Sequence, residues 1–490
     1  MSRALIPATG GAPASAAKTR TALSRKLLAP VMAPVLAALL AGCAALPGGK
    51  PAAPPVAAQP GIPDRLPVAA GPTQADDTAL PSWQDWLGDD EALKRLVAIA
   101  RAHNRDLRIA LLNVQRAQAQ FQAAEASRWP SLGLGIGAQR APNSSGNQAN
   151  SFTAGVQMPA WEIDAFGRLQ SLSDAARAQW LASQAGQRTA EVALDAQVVQ
   201  MALALRADDR LLALAQRTLA GREASLRLVR LREAAGAASA LELRAQEGLV
   251  AQARATLAQL QRQRAQDEQA LALLLGQPVP AGLLAEPAGG AAQPLLARFS
   301  EVPVGLSARV LLRRPDVVQA EQQLLAARAN LGAARAALWP TITLTAQAGQ
   351  ASSQLRGLFE GGNLGYSLVG NLLFSVFDAG RREAAISAAD SSERIALAQY
   401  ERTVQAAFRD TADALSGVAT WRMQQAALRD GLAAAADTAR LVNLKFEHGA
   451  ASALEQLEAE RGLWAAEQAL VQARLAELSA QVALYKALAP

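Results

Sequence analysis

The side chains that most often carry out chemistry in proteins are scarce in this chain of 490 residues, which has one cysteine and two histidines. The histidines, His103 and His448, lie far apart, and neither belongs to a nucleophile, metal or phosphate motif. The sequence therefore predicts no enzyme, no metal site and no cofactor. His448 precedes Gly449, so a protonation switch there is conceivable, but an ordinary surface histidine is the simpler interpretation.

Cys43 has a sequence context that suits covalent modification rather than catalysis. Basic residues at 25 and 26 precede an apolar run over 27–40, an arrangement typical of a secretory signal and too short for a membrane-spanning helix. Leu40-Ala41-Gly42-Cys43 resembles the lipobox of bacterial lipoproteins, which implies cleavage before Cys43 and acylation of its thiol. Residues 1–42 are thus predicted to be a lipoprotein signal peptide. The alternative is a signal that is cut elsewhere and leaves a free cysteine.

The composition around this cysteine also bears on partners. The net charge is +6, with 48 basic and 42 acidic residues. Five of the basic residues and none of the acidic ones precede residue 43, so the mature chain has 48 − 5 = 43 basic residues and a net charge of +1. Such a balance gives no global basic field for nucleic acid. Residues 43–80 are rich in alanine, proline and glycine, which predicts an extended, lipidated tether.

A segment of seven residues, Gly-Ala-Ala-Ser-Ala-Leu-Glu, occurs twice. It starts at Gly236 and again at Gly449, and these positions are 449 − 236 = 213 apart. The glycine can end one helix in the left-handed conformation, and the serine can cap the next helix. The glutamate, Glu242 or Glu455, stands where it would complete a capping box. Each copy therefore predicts the tip of a helical hairpin.

The spacing around these tips shows that the chain is a duplicated half-molecule. Gly167 to Gly236 spans 69 residues, as does Gly380 to Gly449, and each interval predicts a helix of about 100 Å. The same reasoning places a first repeat at 81–276, a connector at 277–305 and a second repeat at 306–487. Helices of that length need partners along their whole extent.

Each half also carries a predicted two-stranded hairpin. Leucine and isoleucine alternate with glycine after Pro130, and apolar residues alternate with threonine after Pro340. The alternation slips at Pro159, which predicts a bulge. Four strands are too few to close a membrane barrel and would leave bare edges. We therefore expect copies of the chain to share one barrel, with apolar side chains toward lipid and the glycine and threonine positions toward the lumen. A soluble antiparallel sheet packed on the helices is the alternative.

Three motifs give the chain a resemblance to a known family, over about residues 43–487. The segment 161–168, Trp-Glu-Ile-Asp-Ala-Phe-Gly-Arg, resembles a signature of the TolC-like outer membrane efflux channels, the lipoprotein exit ducts of Gram-negative multidrug pumps. Arg313-Arg314-Pro315-Asp316 with Ala320-Glu321 resembles their second-half signature, and 376–381 resembles their Phe-Asp-x-Gly-Arg motif. The chain departs from the family at Ser375, where proline is frequent, and at Tyr366, where tryptophan is common.

This resemblance implies a mainly α protein with a membrane β-barrel, whose homotrimer forms a 12-stranded barrel in the outer membrane and an α-helical barrel in the periplasm. It implies passive conduction of small molecules and drugs. These would be delivered by an inner-membrane pump of the resistance-nodulation-division (RND) type through a periplasmic adaptor. The predicted adaptor-contacting tip residues are Gly236, Ser239, Gly449 and Ser452.

The resemblance also points to a periplasmic gate. The family often places acidic residues at the offsets of Glu455 and Glu458 from the second tip, where they line the closed constriction. The two glutamates share a helix face, and the counterpart of Glu458 in the first half is Ala245. Three copies near one axis would attract cations, and like-charge crowding would raise the carboxylate pKa values.

Two other functions remain open at this point. Within the channel class, the chain could be the outlet of a type I protein secretion system. In a different class, it could be a trimeric coiled-coil surface or structural lipoprotein, although such proteins do not interrupt each half with a membrane-like hairpin.

Overall fold

The computed structural model describes residues 83–142, 144, 146, 148–284, 299, 308–358 and 364–489. The predicted signal peptide, Cys43 and the predicted tether lie outside the described residues. The first half contains, in order, α1 (Trp83–Trp86), α2 (Glu91–His103), α3 (Arg105–Ala126), β1 (Gly133–Pro142), β2 (Gln148–Ile163), α4 (Arg168–Ala234) and α5 (Ala240–Leu275).

The second half repeats this order. A 3-10 turn at Ala308–Arg313 leads into α6 (Pro315–Ala336), β3 (Thr341–Ser352), a 3-10 turn at Arg356–Leu358, β4 (Leu364–Leu373), α7 (Arg381–Glu447) and α8 (Ala453–Leu488). Helices α3, α4 and α5 have 22, 67 and 36 residues, and so do α6, α7 and α8. The predicted duplication and the two very long helices are confirmed.

The helices form an open series of neighbours. Helix α4 packs against α3 and α5 and also against α6 and α8, and α7 packs against α6 and α8. The series therefore runs from α3 and α5, through α4, to α6 and α8, and then to α7. Among the described elements, α3 and α5 lie at one edge of this series and α7 lies at the other.

The four strands form one antiparallel sheet in the order β1-β2-β3-β4. Apolar residues pair with apolar residues across it: Leu134 pairs with Val156, and Ile342 pairs with Leu372. The register shifts between Met158 and Trp161, which confirms the bulge predicted at Pro159. Because strand side chains alternate between faces, the extra residue keeps Trp161 on the same face as Met158 despite their odd spacing.

The main apolar core lies where α2, α4, α5 and α8 meet. Its fully buried side chains include Leu96 from α2, Leu203 from α4, Leu271 from α5 and Leu478 from α8. Elsewhere the long helices bury many alanines, which allows close approach along their length. None of the described helices combines the length and the apolar character needed to cross a lipid bilayer.

Candidate functional site: corners, sheet face and helical tips

The segment 161–168 builds the corner where β2 turns into α4. The Arg168 guanidinium donates two hydrogen bonds to the Glu162 carboxylate, at 2.9 and 2.5 Å. The Asp164 carboxylate accepts bonds from two backbone N–H groups in the first turn of α4, at 3.1 and 2.7 Å, and so satisfies donors that a helix start leaves free. The Trp161 indole N–H donates to the Arg128 carbonyl at 3.0 Å. The motif therefore fixes the direction of α4 relative to the sheet.

The second corner, between β4 and α7, is held by Arg382, a residue that the sequence analysis did not single out. Asp378 pairs with Arg382 at 2.7 Å rather than with Arg381, the last residue of the motif. The Arg382 guanidinium also donates to the carbonyl of Leu338, at 3.2 Å, and to that of Ser375. Arg382 was missed in the sequence because the two carbonyl groups that it binds, of Leu338 and Ser375, are far apart along the chain.

The Arg313-Arg314-Pro315-Asp316 motif joins the start of α6 to the end of α8. Arg314 is buried and donates to both oxygens of Asp316, at 3.0 and 2.7 Å. Its third bond goes to the Ala487 carbonyl at 2.9 Å. All three motifs thus have structural roles at points where separate elements join.

Both predicted tips end their long helices in the same way. Gly236 and Gly449 have φ of +70° and +73°, a conformation that costs glycine little. The amide of Ala237 bonds back to the Arg232 carbonyl at 2.7 Å, and the amide of Ala450 bonds to the Lys445 carbonyl at 2.8 Å. These are Schellman motifs, which confirm the helix-ending role predicted for the two glycines.

The start of the helix after each tip differs between the halves. In the second tip the Ser452 hydroxyl accepts from the Glu455 amide at 3.2 Å, and the Ser452 amide donates to the Glu455 carboxylate at 2.6 Å, so the capping box is complete. In the first tip Ser239 accepts from the Glu242 amide at 3.1 Å. The return bond predicted for Glu242 is wrong, because that carboxylate faces Arg232 at 3.8 Å instead.

The two acidic residues of the second tip already have partners within one chain. Within one copy, the bonds from the Ser452 amide and hydroxyl lower the pKa of Glu455. The rise predicted from crowded carboxylates concerns three copies around one axis and stays a prediction. Glu458 pairs with Arg461 at 3.0 Å, and both side chains are largely exposed. Glu455 and Glu458 therefore lie on an accessible surface beside the tip.

One face of the sheet is apolar and open. Leu134, Ile136 and Tyr366 are 87%, 81% and 88% exposed. On the opposite face Gly155 pairs with Gly349, and a Cβ on Gly155 would lie 2.3 Å from the Ala348 carbonyl oxygen. Only glycine allows this close approach of β2 and β3.

The histidines take no part in a cluster. The Nδ1 atom of His103 lies 3.1 Å from the Ile99 carbonyl oxygen, and that of His448 lies 2.8 Å from the Leu444 carbonyl oxygen, each within its own helix segment. Within the part of the chain that the structure describes, no group of three histidine, cysteine, aspartate or glutamate side chains is placed to hold a metal ion.

Comparison with known proteins agrees with this architecture. The sequence model of the outer membrane efflux protein family matches residues 96–277 and 306–489. Outer membrane protein OprJ of Pseudomonas aeruginosa is 37% identical over 446 residues, which cover 90% of this chain and 91% of that protein. The probable efflux pump outer membrane protein TtgC of Pseudomonas putida is 37% identical over 432 residues, covering 86% and 87%.

Solved structures show the same fold. A crystal structure of a membrane protein from Pseudomonas aeruginosa has a TM-score of 0.77 at 36% identity, covering 86% of this chain and 96% of that one. The open state of the Neisseria gonorrhoeae MtrE outer membrane channel has a TM-score of 0.74 at 32% identity, again covering 86% and 96%. The duplicated halves, the corner motifs and these matches together show that the chain belongs to the outer membrane efflux protein family.

Proposed function

We propose that three copies of this chain form the exit duct of a tripartite efflux pump, which conducts small molecules from an RND pump and its periplasmic adaptor across the outer membrane. Its family and its relatives are efflux proteins of the outer membrane rather than enzymes. The observation that carries the proposal is that one copy ends in an open edge in both the sheet and the helical layer.

The edges of the sheet support closure by further copies. Strands β1 and β4 each have one neighbour in the sheet, so each presents a row of backbone N–H and C=O groups along its outer edge. Lipid cannot pair with these groups, and a membrane sheet must therefore close on itself. Three copies of four strands supply 3 × 4 = 12 strands, enough for a barrel.

The helical edges support the same assembly. Exposed apolar side chains lie on α3, where Ile109 is 56% and Leu112 is 52% exposed, and on α7, where Ile395 is 58% and Met423 is 66% exposed. These two helices are the opposite ends of the open series. Contact between α7 of one copy and α3 and α5 of the next would cover both surfaces.

The two faces of the sheet fit the two sides of a barrel wall. The open apolar face that carries Leu134 and Tyr366 is suited to lipid. The opposite face presents glycine, threonine and glutamine, with Gln157 paired to Gln347 and Thr343 to Asn371. Such a surface is suited to a watered lumen.

Cys43 is proposed to be the lipid anchor of the mature protein in the outer membrane. The support comes from the sequence alone, where the basic region, the apolar run and Leu40-Ala41-Gly42 precede the only cysteine. Acylation at this position would tie the start of the tether to the membrane in which the sheet is embedded.

The tips are proposed to be the surface that the periplasmic adaptor contacts. Gly236, Ser239, Gly449 and Ser452 are exposed at the far ends of two hairpins about 100 Å long. The relatives named as parts of antibiotic and toluene efflux pumps favour small-molecule export over protein secretion. Glu455 and Glu458, next to the second tip, are proposed to line the periplasmic entrance as a cation-attracting ring.

The proposal is tested with one measurement on the purified mature protein and one in cells. Light scattering in detergent should give three times the mass of the mature chain, and a monodisperse monomer would overturn the shared barrel. Expression in a Gram-negative host that lacks its own channel but retains an adaptor and an RND pump should restore drug resistance. Restored export of a protein by an ABC exporter, without drug resistance, would instead support the type I secretion outlet.

A further inference from the structure

The first helical hairpin, α4 with α5, is crossed by a regular series of ion pairs. The two helices run antiparallel from the tip at Gly236, so a residue further from the tip on α4 meets one further from the tip on α5. The cross-helix pairs are Arg232–Glu242 at 3.8 Å, Arg230–Glu247 at 3.4 Å, Glu223–Arg254 at 2.7 Å and Asp209–Arg264 at 2.5 Å. Each joins opposite charges.

At the far end of this series, two acids face each other. Asp208 on α4 is only 8% exposed and faces Asp267 on α5, whose two oxygens accept from the Gln263 side-chain amide at 3.1 Å. The Oδ2 atom of Asp208 is buried and has no hydrogen-bond donor within the described part of the chain. A facing carboxyl group can satisfy this oxygen only if one of the two groups carries a proton.

The duplication shows that this pair of acids is not needed to build the hairpin. An offset of 213 residues carries Asp208 to Trp421 on α7 and Asp267 to Ala480 on α8. Ala480 packs in that hairpin, and its Cβ lies 3.4 Å from a Cβ built on Gly417. The second half therefore fills the same position with an aromatic ring and a methyl group.

The surroundings of Asp208 provide little compensating charge. Burial raises its pKa first, and Asp267 and then Asp209 raise it further, to about 7. Arg264 on α5 opposes this rise, but it already binds Asp209 and Glu268.

Charged groups on the other helices that pack against α4 are also engaged. Asp90, which caps α2, binds Arg206 at 2.5 Å. On α8, Arg474 binds Glu477 at 2.5 Å. The charge on Asp208 is therefore governed by Asp267, Asp209 and Arg264.

We propose that Asp208 and Asp267 form a proton-operated latch that holds α4 against α5 in the first hairpin only. With one proton present, a carboxyl group donates to a carboxylate across the helix interface. Without it, two negative charges face each other in a buried position. The first hairpin then loosens while the second hairpin, with Trp421 and Ala480, stays closed. The latch rests on the geometry of the hairpin and holds whether or not the transport function is as proposed.

The direction of the effect follows from the raised pKa. Below the ordinary aspartate pKa of 3.8 both the closed and the opened hairpin bind the proton, so the latch contributes fully. Its contribution falls as pH rises toward 7 and is lost above that. With a pKa of about 7, the factor 1 + 10^(pKa − pH) by which the proton favours the closed hairpin falls from 1 + 10 at pH 6 to 1 + 0.1 at pH 8. The population of the opened first hairpin should therefore rise about tenfold over this range.

Hydrogen exchange on the trimer, followed by mass spectrometry, tests this latch. The exchange rate of peptides around 200–215 and 260–272 is divided by the exchange rate of the matching peptides 213 residues later. This division cancels the direct effect of pH on the chemical rate of amide exchange. The ratio should rise about tenfold from pH 6 to pH 8. Asp208→Asn supplies a permanent donor to Asp267, so its ratio should stay flat. Asp437→Asn, an exposed acid on α7, serves as the control and should behave like the wild type.

Infrared spectroscopy gives a second reading, and its result for the wild type alone tests the latch even if the variant does not fold. The wild type should show a carboxylic acid C=O band that disappears with a midpoint between pH 6 and pH 8, and this band should be missing in Asp208→Asn. A flat exchange ratio in the wild type, or no such titrating band, would overturn the latch. Neither outcome bears on whether the trimer conducts drugs.

Discussion

The contact between α4 and α6 within one copy can be used to design a disulfide between two copies of the chain. Helix α4 packs against α6, and a Cβ built on Gly332 lies 3.7 Å from the Cβ of Ser171. This separation is close to the mean of about 3.8 Å found across disulfides. Ser171→Cys combined with Gly332→Cys should therefore form a bond within one chain.

The duplication transfers this geometry to the proposed seam between copies. The long helices are offset by 380 − 167 = 213 residues and the short ones by 340 − 130 = 210, so Ser171 corresponds to Ala384 on α7 and Gly332 to Gln122 on α3. Both residues are exposed in a single copy. If the copies meet as the repeats do, Ala384→Cys of one copy lies at disulfide distance from Gln122→Cys of the next.

Electrophoresis without reducing agent reads the result. The Ala384→Cys, Gln122→Cys double variant should run as covalent dimers and trimers, since each copy has two seams, and the Ser171→Cys, Gly332→Cys control should stay a monomer. Either single variant should give no trimer. A double variant that stays monomeric while the control closes would refute the reasoning, and a ladder beyond the trimer would indicate an open filament instead of a closed ring.

Four further predictions concern the anchor, the tip, the gate and the second capping box. Mass spectrometry of the mature N-terminus should show an acylated Cys43, and an unmodified terminus at another residue would refute the anchor. Gly449→Val places a β-branched residue at φ of +73°, so drug resistance should fall while the trimer persists in detergent; unchanged resistance would assign Gly449 to helix ending alone. Replacing Glu455 and Glu458 together by alanine should weaken cation selectivity and block by divalent ions in planar bilayers, whereas wild-type selectivity would place the gate elsewhere. Because the pKa of Glu455 is lowered, its contribution to the second capping box is present at neutral pH and is lost as the pH falls through that lowered value. Hydrogen exchange should show this loss as weaker protection of the first turn of α8.

Features that depend on local backbone chemistry could be predicted from the sequence. The tips at Gly236 and Gly449 follow from the low cost of positive φ for glycine, and the serines cap because their hydroxyls reach N–H groups three residues ahead. The bulge at Pro159 follows from a missing N–H donor. The equal helix lengths in the two halves follow from equal intervals between such signals.

Features that depend on the register between helices were decided only by the tertiary structure. Glu242 on α5 turns to Arg232 on α4 instead of closing its capping box. The facing of Asp208 and Asp267, 59 residues apart in sequence (267 − 208), requires two helices to be set side by side in one particular register. A helix side chain contacts the residues of the neighbouring helix that lie at the same level along the helix axis. No short-range pattern in the sequence specifies that alignment.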